Sequence, residues 1–383
     1  MEVNAFGKGL EKIGGIPFYH GNSIRILKEG RLAFEEAFRA VEDARRQICA
    51  EFYIFRDDET GWGLAELLAK KSREGIRVFL VYDHFGSFST SNRFWTFLKA
   101  QGVMVLPFNP PNFWNPNLYF HRDHRKLILV DDRLAFTGGL NVGDEYRGYL
   151  RKKLAGWRDT GVKIEGPVVR AMLEAFKRTW HLCGGGKGVD DFGEVGRESG
   201  GGVTLLPLFS SSRRSMRSLR QLLYFSIRSS QRSLYLTMAY FIPTHRFLMA
   251  LLKAAQRGVD VKILLPGQTD LRVIAYVGRT YYKTLLDGGV KVFHYQPRVL
   301  HAKTMVFDGT WSIVGSANFD ARSLNYNHEC GVGILSRKVG EEMEAMFYQD
   351  LQDSHPIAER DLSSWPSHER ALGRFFSWFR SYL

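Results

Sequence analysis

A chain of 383 residues with 44% hydrophobic content is long enough for two cores of ordinary size. Its net charge of +13, from 53 Lys and Arg against 40 Asp and Glu, calls for polyanionic company, either nucleic acid or anionic lipid. Three widely spaced cysteines, Cys49, Cys183 and Cys330, exclude a disulfide framework, the N-terminus has no signal-peptide pattern, and no stretch reaches the roughly 18 apolar residues of a membrane span.

In chain order, residues 1–22 are Gly-rich and read as a loose arm that could lie near a membrane through Phe6, Ile16, Phe18 and Tyr19. A first module is expected over residues 23–183. Ala33–Arg46 has helical periodicity, Gln47–Phe55 reads as a strand, Leu64–Arg73 as a helix ending near Gly75, and Val78–Tyr82 as a fully buried strand. Residues 184–202 form a Gly-rich acidic linker. A second module, residues 203–360, repeats the order: helix Met216–Ser229, strand Ser233–Tyr240, helix His245–Arg257, Gly258, and strand Val261–Leu265. The fold class is therefore α/β, with two duplicated modules, each a mixed sheet flanked by helices. Residues 361–383 form a tail.

The strongest repeat is chemical. His124-Arg125-Lys126-Leu127-Ile128-Leu129-Val130-Asp131 returns as His301-Ala302-Lys303-Thr304-Met305-Val306-Phe307-Asp308. Each copy is followed by an apolar run that ends in small residues and an Asn: Gly138-Gly139-Leu140-Asn141 in the first, Gly315-Ser316-Ala317-Asn318 in the second. On a strand, alternate residues share a face, so each His points with its Lys. Asp131 and Asp308 complete the motif, but at an odd offset from the His, beside Asp132 and Gly309; they read as structural turn residues. The returning strands would carry Asn141, Ser316 and Asn318 back beside the His and Lys.

Two imidazoles and two ammonium groups around one point suit a phosphodiester. One imidazole attacks phosphorus to give a phosphohistidine, the other protonates the leaving alcohol, and Lys126, Lys303, Asn141, Ser316 and Asn318 hold the phosphoryl oxygens. This chemistry requires no metal, and no cofactor is expected.

The paired motifs resemble those of the phospholipase D superfamily, and nearly the whole chain resembles bacterial cardiolipin synthases that lack transmembrane anchors. The resemblance extends to Arg322-Ser323 with Asn325, Asn327 and Glu329, to Ala239-Tyr240-Phe241-Ile242-Pro243, and to Ile164-Glu165-Gly166-Pro167. It implies two pseudo-symmetric modules sharing one active site, with a carboxylate fixing the tautomer of each catalytic His: Asp159 behind His124, and Glu329 at the position matching His301. It also implies His124 as nucleophile and His301 as general acid, a choice the residues alone leave open. The implied reaction is phosphatidyl transfer from phosphatidylglycerol to a second phosphatidylglycerol, yielding cardiolipin and glycerol at the cytoplasmic face of a bacterial membrane. Water as acceptor, in a phospholipase D or a nuclease, is the alternative.

Other segments carry weaker signals. Glu51, in an apolar strand, either lines the pocket or pairs with a cation, and Tyr240 and Phe241 read as core aromatics. The insert Pro107–Phe120 is either a pocket wall meeting acyl chains or a rigid loop; Asp270–Tyr282, with Arg272 and Arg279, is either a headgroup contact or a solvated helix. Wound at about 100° per residue, the tail puts Leu372, Phe375, Phe376, Phe379 and Leu383 on one face with Trp378 beside them, the pattern of a helix lying in a membrane interface. That tail favours a peripheral membrane partner over nucleic acid, and no obligate protein partner is expected.

Overall fold

The computed structural model describes residues 3–111, 120–149, 155–190 and 200–381. The first half runs α1 (Val3–Gly14), β1 (Tyr19–Leu27), α2 (Gly30–Glu42), β2 (Gln47–Phe52), α3 (Glu59–Arg73), β3 (Arg77–Asp83), α4 (Asn92–Ala100), β4 (Met104–Phe108), β5 (Lys126–Val130), β6 (Leu134–Gly138), α5 (Asp144–Arg147), β7 (Gly161–Glu165) and α6 (Val168–Leu182). The second half runs β8 (Val203–Ser210), α7 (Arg213–Ser229), β9 (Ser233–Met238), α8 (His245–Gln256), β10 (Asp260–Pro266), α9 (Arg272–Arg279), α10 (Tyr282–Asp287), β11 (Lys291–Tyr295), β12 (Lys303–Phe307), β13 (Trp311–Gly315), α11 (Ala321–Asn325), β14 (Glu329–Leu335), α12 (Arg337–Gln352), β15 (Ser354–Pro356), α13 (Glu359–Ser364) and α14 (Ser367–Ser377).

Matching local rules build the two halves. Gly75 (φ 85°) and Gly258 (φ 89°) end α3 and α8 in the left-handed conformation. The chain then folds back so that the Ile76 N–H donates to Lys71 O at 3.0 Å and the Val259 N–H to Ala254 O at 3.2 Å. These bonds satisfy the last helical carbonyls and aim each chain into its next strand.

The motif aspartates sit in equivalent turns. Asp131 and Asp132 (φ 52° and 58°) join β5 to β6, while Asp308 and Gly309 (φ 53° and 63°) join β12 to β13. The Asp131 carboxylate accepts the N–H groups of Arg45, Arg46 and Gln47, and Asp308 accepts those of Gln231, Arg232 and Ser233. Each aspartate thus pins its hairpin to the start of β2 or β9, far along the strand from the His and Lys.

One hydrogen-bonded order, β15-β11-β10-β9-β12-β13-β14-β8-β1-β7-β6-β5-β2-β3-β4, contains all the strands among the described residues. Read outward from the β1/β8 seam, β1, β7, β6, β5, β2, β3, β4 correspond one for one to β8, β14, β13, β12, β9, β10, β11. The β2–β3–β4 and β9–β10–β11 pairs are parallel and the remaining pairs antiparallel, so each module has a mixed sheet. One apolar core lies with α2, α3 and α4, another with α1, α7 and α8. A middle core joins Val81, Leu127 and Val162 of the first half to Val306, Val314 and Val332 of the second, with α6 and α12. Here β6 packs on β13 and β14, which brings the equivalent strand ends of both modules together.

The N-terminal arm differs from expectation, because α1 is docked on α7. Phe6 and Leu10 are buried, and Phe6 stacks on Phe225 at 5.4 Å. Such burial contributes about 1.5–3 kcal/mol per large apolar side chain, enough to hold a short helix. The glycines that suggested looseness permit close packing instead: a Cβ at Gly9 would lie 2.7 Å from the Phe225 ring. Phe6 is therefore unavailable to a membrane, and the first sheet begins at Tyr19 rather than Ser23. Residues 112–119 of the Pro107–Phe120 insert, 191–199 of the linker, and Tyr382 and Leu383 lie outside the described residues.

Candidate active site

His124 and His301 each lie just before a strand whose first residue is the motif lysine, Lys126 in β5 and Lys303 in β12. The two modules hold each other at these points. The His124 N–H donates to His328 O at 2.9 Å, and the His301 N–H donates to Arg158 O at 2.8 Å. The residue after each acceptor is a carboxylate, Glu329 and Asp159, which this exchange delivers to the opposite module.

The carboxylate assignments are consequently crossed. Glu329 Oε2 lies 3.1 Å from His124 Nδ1, and Asp159 Oδ2 lies 2.6 Å from His301 Nδ1. Asp159 does not stand behind His124, nor Glu329 behind its own module's His301. With Nδ1 facing Glu329, His124 has its Nε2 left unengaged by that carboxylate. The two dyads lie close enough to act on each other: Lys303 lowers the proton affinity of both His124 and Lys126, and Glu329 raises that of Lys303.

Burial sets the proton affinities. It lowers His124 to about 4 against the opposing pull of Glu329, lowers Lys126 to about 7, and lowers Lys303 to about 8. His301 is lowered too, by burial and Lys303, while Asp159 opposes the shift. Glu329 moves downward: burial would raise it, but His124 and Lys126 outweigh that cost. Lys303 Nζ lies 3.0 Å from His301 Nε2, and Lys126 Nζ donates to His124 O. A site of this kind crowds cationic groups, and a bound anionic group would relieve that crowding.

The three expected phosphate donors have different surroundings. Ser316 Oγ donates to Glu329 and accepts the Cys330 N–H at 2.9 Å, which places it behind His124 as a support for the carboxylate. Asn141 accepts the Ile54 N–H at 3.0 Å and donates to Tyr146 Oη at 2.9 Å, so its amide braces the first module. Asn318, the equivalent of Asn141, has a buried Oδ1 without a hydrogen-bond partner. The Gly139/Ser316 asymmetry has a steric cause, since a Cβ at Gly139 would lie 2.1 Å from Asp159 Oδ1.

Aromatic walls that the motif pattern did not disclose surround the pair. Tyr53 meets His124 edge-on at 5.0 Å, Tyr146 and Trp157 approach His301 at 5.3 and 5.6 Å, and Tyr240 lies 6.2 Å from it. Phe241 is core, as expected, whereas Tyr240 belongs to the site. Glu51 pairs with Arg125 at 3.2 Å. Arg125 points away from the His–Lys face and was not distinguished by the repeat, because its counterpart is Ala302. Among the described residues, no group of three or more His, Cys, Asp or Glu could hold a metal ion.

This geometry, two carboxylate-backed imidazoles each beside a buried lysine, accompanies clear sequence kinship. Residues 223–351 match the family model described as "Cardiolipin synthase, PLD-like domain". The chain is 33% identical over 342 residues to "Probable cardiolipin synthase YwiE" of Bacillus subtilis, covering 88% of this chain and 67% of that one. It is 36% identical over 365 residues to a cardiolipin synthase of Geobacillus kaustophilus, covering 94% and 72%.

The chain belongs to the cardiolipin synthase family.

It is accordingly a phosphatidyltransferase of phospholipid biosynthesis. The fold of this cardiolipin synthase relative extends beyond the sequence family: the crystal structure of phosphatidylserine synthase from Haemophilus influenzae superposes with a TM-score of 0.75 at 15% identity, covering 99% of this chain and all of that one. No helix among the described residues is long and apolar enough to cross a membrane.

Proposed function

We propose that the protein joins two molecules of phosphatidylglycerol into cardiolipin and glycerol by double displacement through a phosphohistidine. The observation that carries this reading is the pair of crossed His–carboxylate dyads beside Lys126 and Lys303. His124 Nε2 attacks phosphorus, the bond from phosphorus to the glycerol headgroup oxygen breaks, and His301 gives that oxygen its proton. A headgroup hydroxyl of the second phosphatidylglycerol then passes its proton to His301 and attacks phosphorus, and the phosphorus–nitrogen bond breaks to restore His124.

The dyads differ in a way that supports these roles. The shorter contact, Asp159 to His301, favours an imidazolium, whereas Glu329 divides its charge among His124, Ser316 and Asn327. Burial keeps His124 neutral and nucleophilic at neutral pH, while Asp159, close against His301, opposes the burial and the Lys303 charge that lower its proton affinity. Lys126 and Lys303 neutralise the phosphoryl oxygens, with Asn318 as a further donor.

The enzyme acts from the surface of the membrane, on its cytoplasmic face, with Phe375, Phe376, Trp378 and Phe379 of the tail in the interface. Gly373 seats α14 against Tyr276 of α9, which leaves Phe375, Trp378 and Phe379 exposed.

Mass spectrometry of lipids made by the purified protein from phosphatidylglycerol vesicles tests the reaction. Cardiolipin and glycerol, both lost in His124→Ala and His301→Ala, are expected. Phosphatidic acid as the sole lipid product would make it a hydrolase.

A further inference from the structure

The loop after β3, residues 84–91, presents Phe85 and Phe88 to solvent, with Phe88 81% exposed. It is nonetheless a fixed loop. Asp83 accepts the N–H groups of Phe85 and Gly86 at 3.0 and 2.9 Å and that of Asp123, next to His124, at 2.8 Å. Ser87 Oγ donates to Tyr53 O at 3.1 Å and accepts the Phe55 N–H at 3.0 Å. A Cβ at Gly86 would lie 2.2 Å from Tyr53 O, and Tyr53 touches His124. The aromatics are therefore held on a scaffold shared with His124.

The equivalent loop of the second module follows β10 and contains α9. Tyr240, beside His301, donates through its hydroxyl to Asp270 at 2.7 Å. The adjacent Leu271 is exposed and opens α9, which rests on Phe241 through Gly278 and carries α14 through Tyr276 and Gly373. Pseudo-symmetry thus makes the two loops counterparts, the first joined to Tyr53 beside His124 and the second to Tyr240 beside His301. Two exposed Phe side chains in one short loop, with Phe375, Trp378 and Phe379 exposed at the end of the tail, form an unusual surface for a protein surrounded only by water.

Cations line the second side; beside the first loop, Arg122 is buried against Asp83 and Arg56 pairs with Glu145. Arg279, Lys283, Arg370 and Arg374 line a cavity of about 290 Å³ between α9 and the tail, with Glu369 as its one acidic residue. This charge matches an anionic leaflet.

We propose that the β3 loop and the α9–α14 unit form a two-sided docking surface around the pocket mouth. Phe85 and Phe88 enter the interface of an anionic bilayer on one side, while α14 lies in it on the other. The mouth then faces the leaflet, and a phospholipid headgroup reaches His124 and His301 while its acyl chains remain in the bilayer. This inference deepens the transferase reading and rests on it for the identity of the lipid, but the docking is measurable without turnover.

The experiment compares wild type, Phe85→Ser/Phe88→Ser, Trp378→Ser/Phe379→Ser and the combined variant by flotation with phosphatidylglycerol-containing or pure phosphatidylcholine vesicles. Each protein is also assayed on phosphatidylglycerol vesicles and on monomeric short-chain phosphatidylglycerol. Each pair should weaken binding to the anionic vesicles by about tenfold or more, the combination further, with the rate on monomeric lipid retained. Wild-type binding and vesicle turnover by Phe85→Ser/Phe88→Ser would overturn the proposal, as would an equal loss on monomeric lipid. Equal wild-type affinity for both vesicle types would also overturn it. Vesicle binding without any turnover by wild type would remove the transferase reading alone.

Discussion

At the scale of single residues, the site is governed by burial acting on charge. A lysine whose pKa has fallen loses its proton sooner as pH rises, so Lys126 at about 7 and Lys303 at about 8 surrender their cations across that interval. A histidine whose pKa has fallen gains its proton later as pH drops, and His124 stays neutral down to about 4. The free enzyme should therefore lose kcat/KM on the alkaline side with a midpoint near 7–8. A bound phosphodiester favours the ammonium forms, so the alkaline limb of kcat should lie at higher pH. A pH–rate series measures both limbs; a kcat/KM profile flat up to about pH 9 would contradict this assignment of the lysines.

Elements explain why much of the fold was legible in the sequence. Apolar runs such as Val78–Tyr82 and Val261–Leu265 lie within β3 and β10, and the glycines after α3 and α8 act locally, so each half announces its order. The turn role of Asp131 and Asp308 was equally legible, since an odd offset and a neighbouring Asp or Gly are local facts. Replacing Asp308 by Ala should cost about 2–4 kcal/mol through lost N–H acceptance and left-handed strain, while activity survives at temperatures where the protein remains folded. Urea unfolding followed by circular dichroism would show the shift, and an activity loss without a stability loss would place Asp308 in the chemistry instead. The crossing of Asp159 and Glu329 was not legible. It depends on backbone bonds between modules, His124 to His328 and His301 to Arg158, which no periodicity within one module encodes.

At the scale of the whole molecule, buried arginines tie the modules together. Arg125 donates to Glu51 and Thr179 of its own module and to Ser210 O and Glu329 O of the other, at 2.8–3.3 Å. Arg158 makes the reciprocal connection to Asp350 at 2.7 Å. Changing Arg125 to Met should cost about 3–5 kcal/mol because Glu51 is left buried without its cation. Adding Glu51→Gln should recover part of that loss, as read from denaturant midpoints; no recovery would mean that the cross-module carbonyl contacts, not the ion pair, dominate. Docking of α1 escaped the sequence for a similar reason, since the Gly-rich composition of residues 1–22 conceals a buried Phe6 and Leu10 that only α7 completes.

The proposed double displacement makes one demand that direct displacement does not, a phosphatidyl group carried by His124 before it passes to a second lipid. Rapid quenching of the enzyme with short-chain phosphatidylglycerol, followed by peptide mass spectrometry at neutral pH, looks for that group directly. The account predicts a phosphatidyl adduct on the His124 peptide that is absent from His124→Ala and disappears as cardiolipin forms. An adduct on His301, or cardiolipin formation at full rate by His124→Ala, would contradict it.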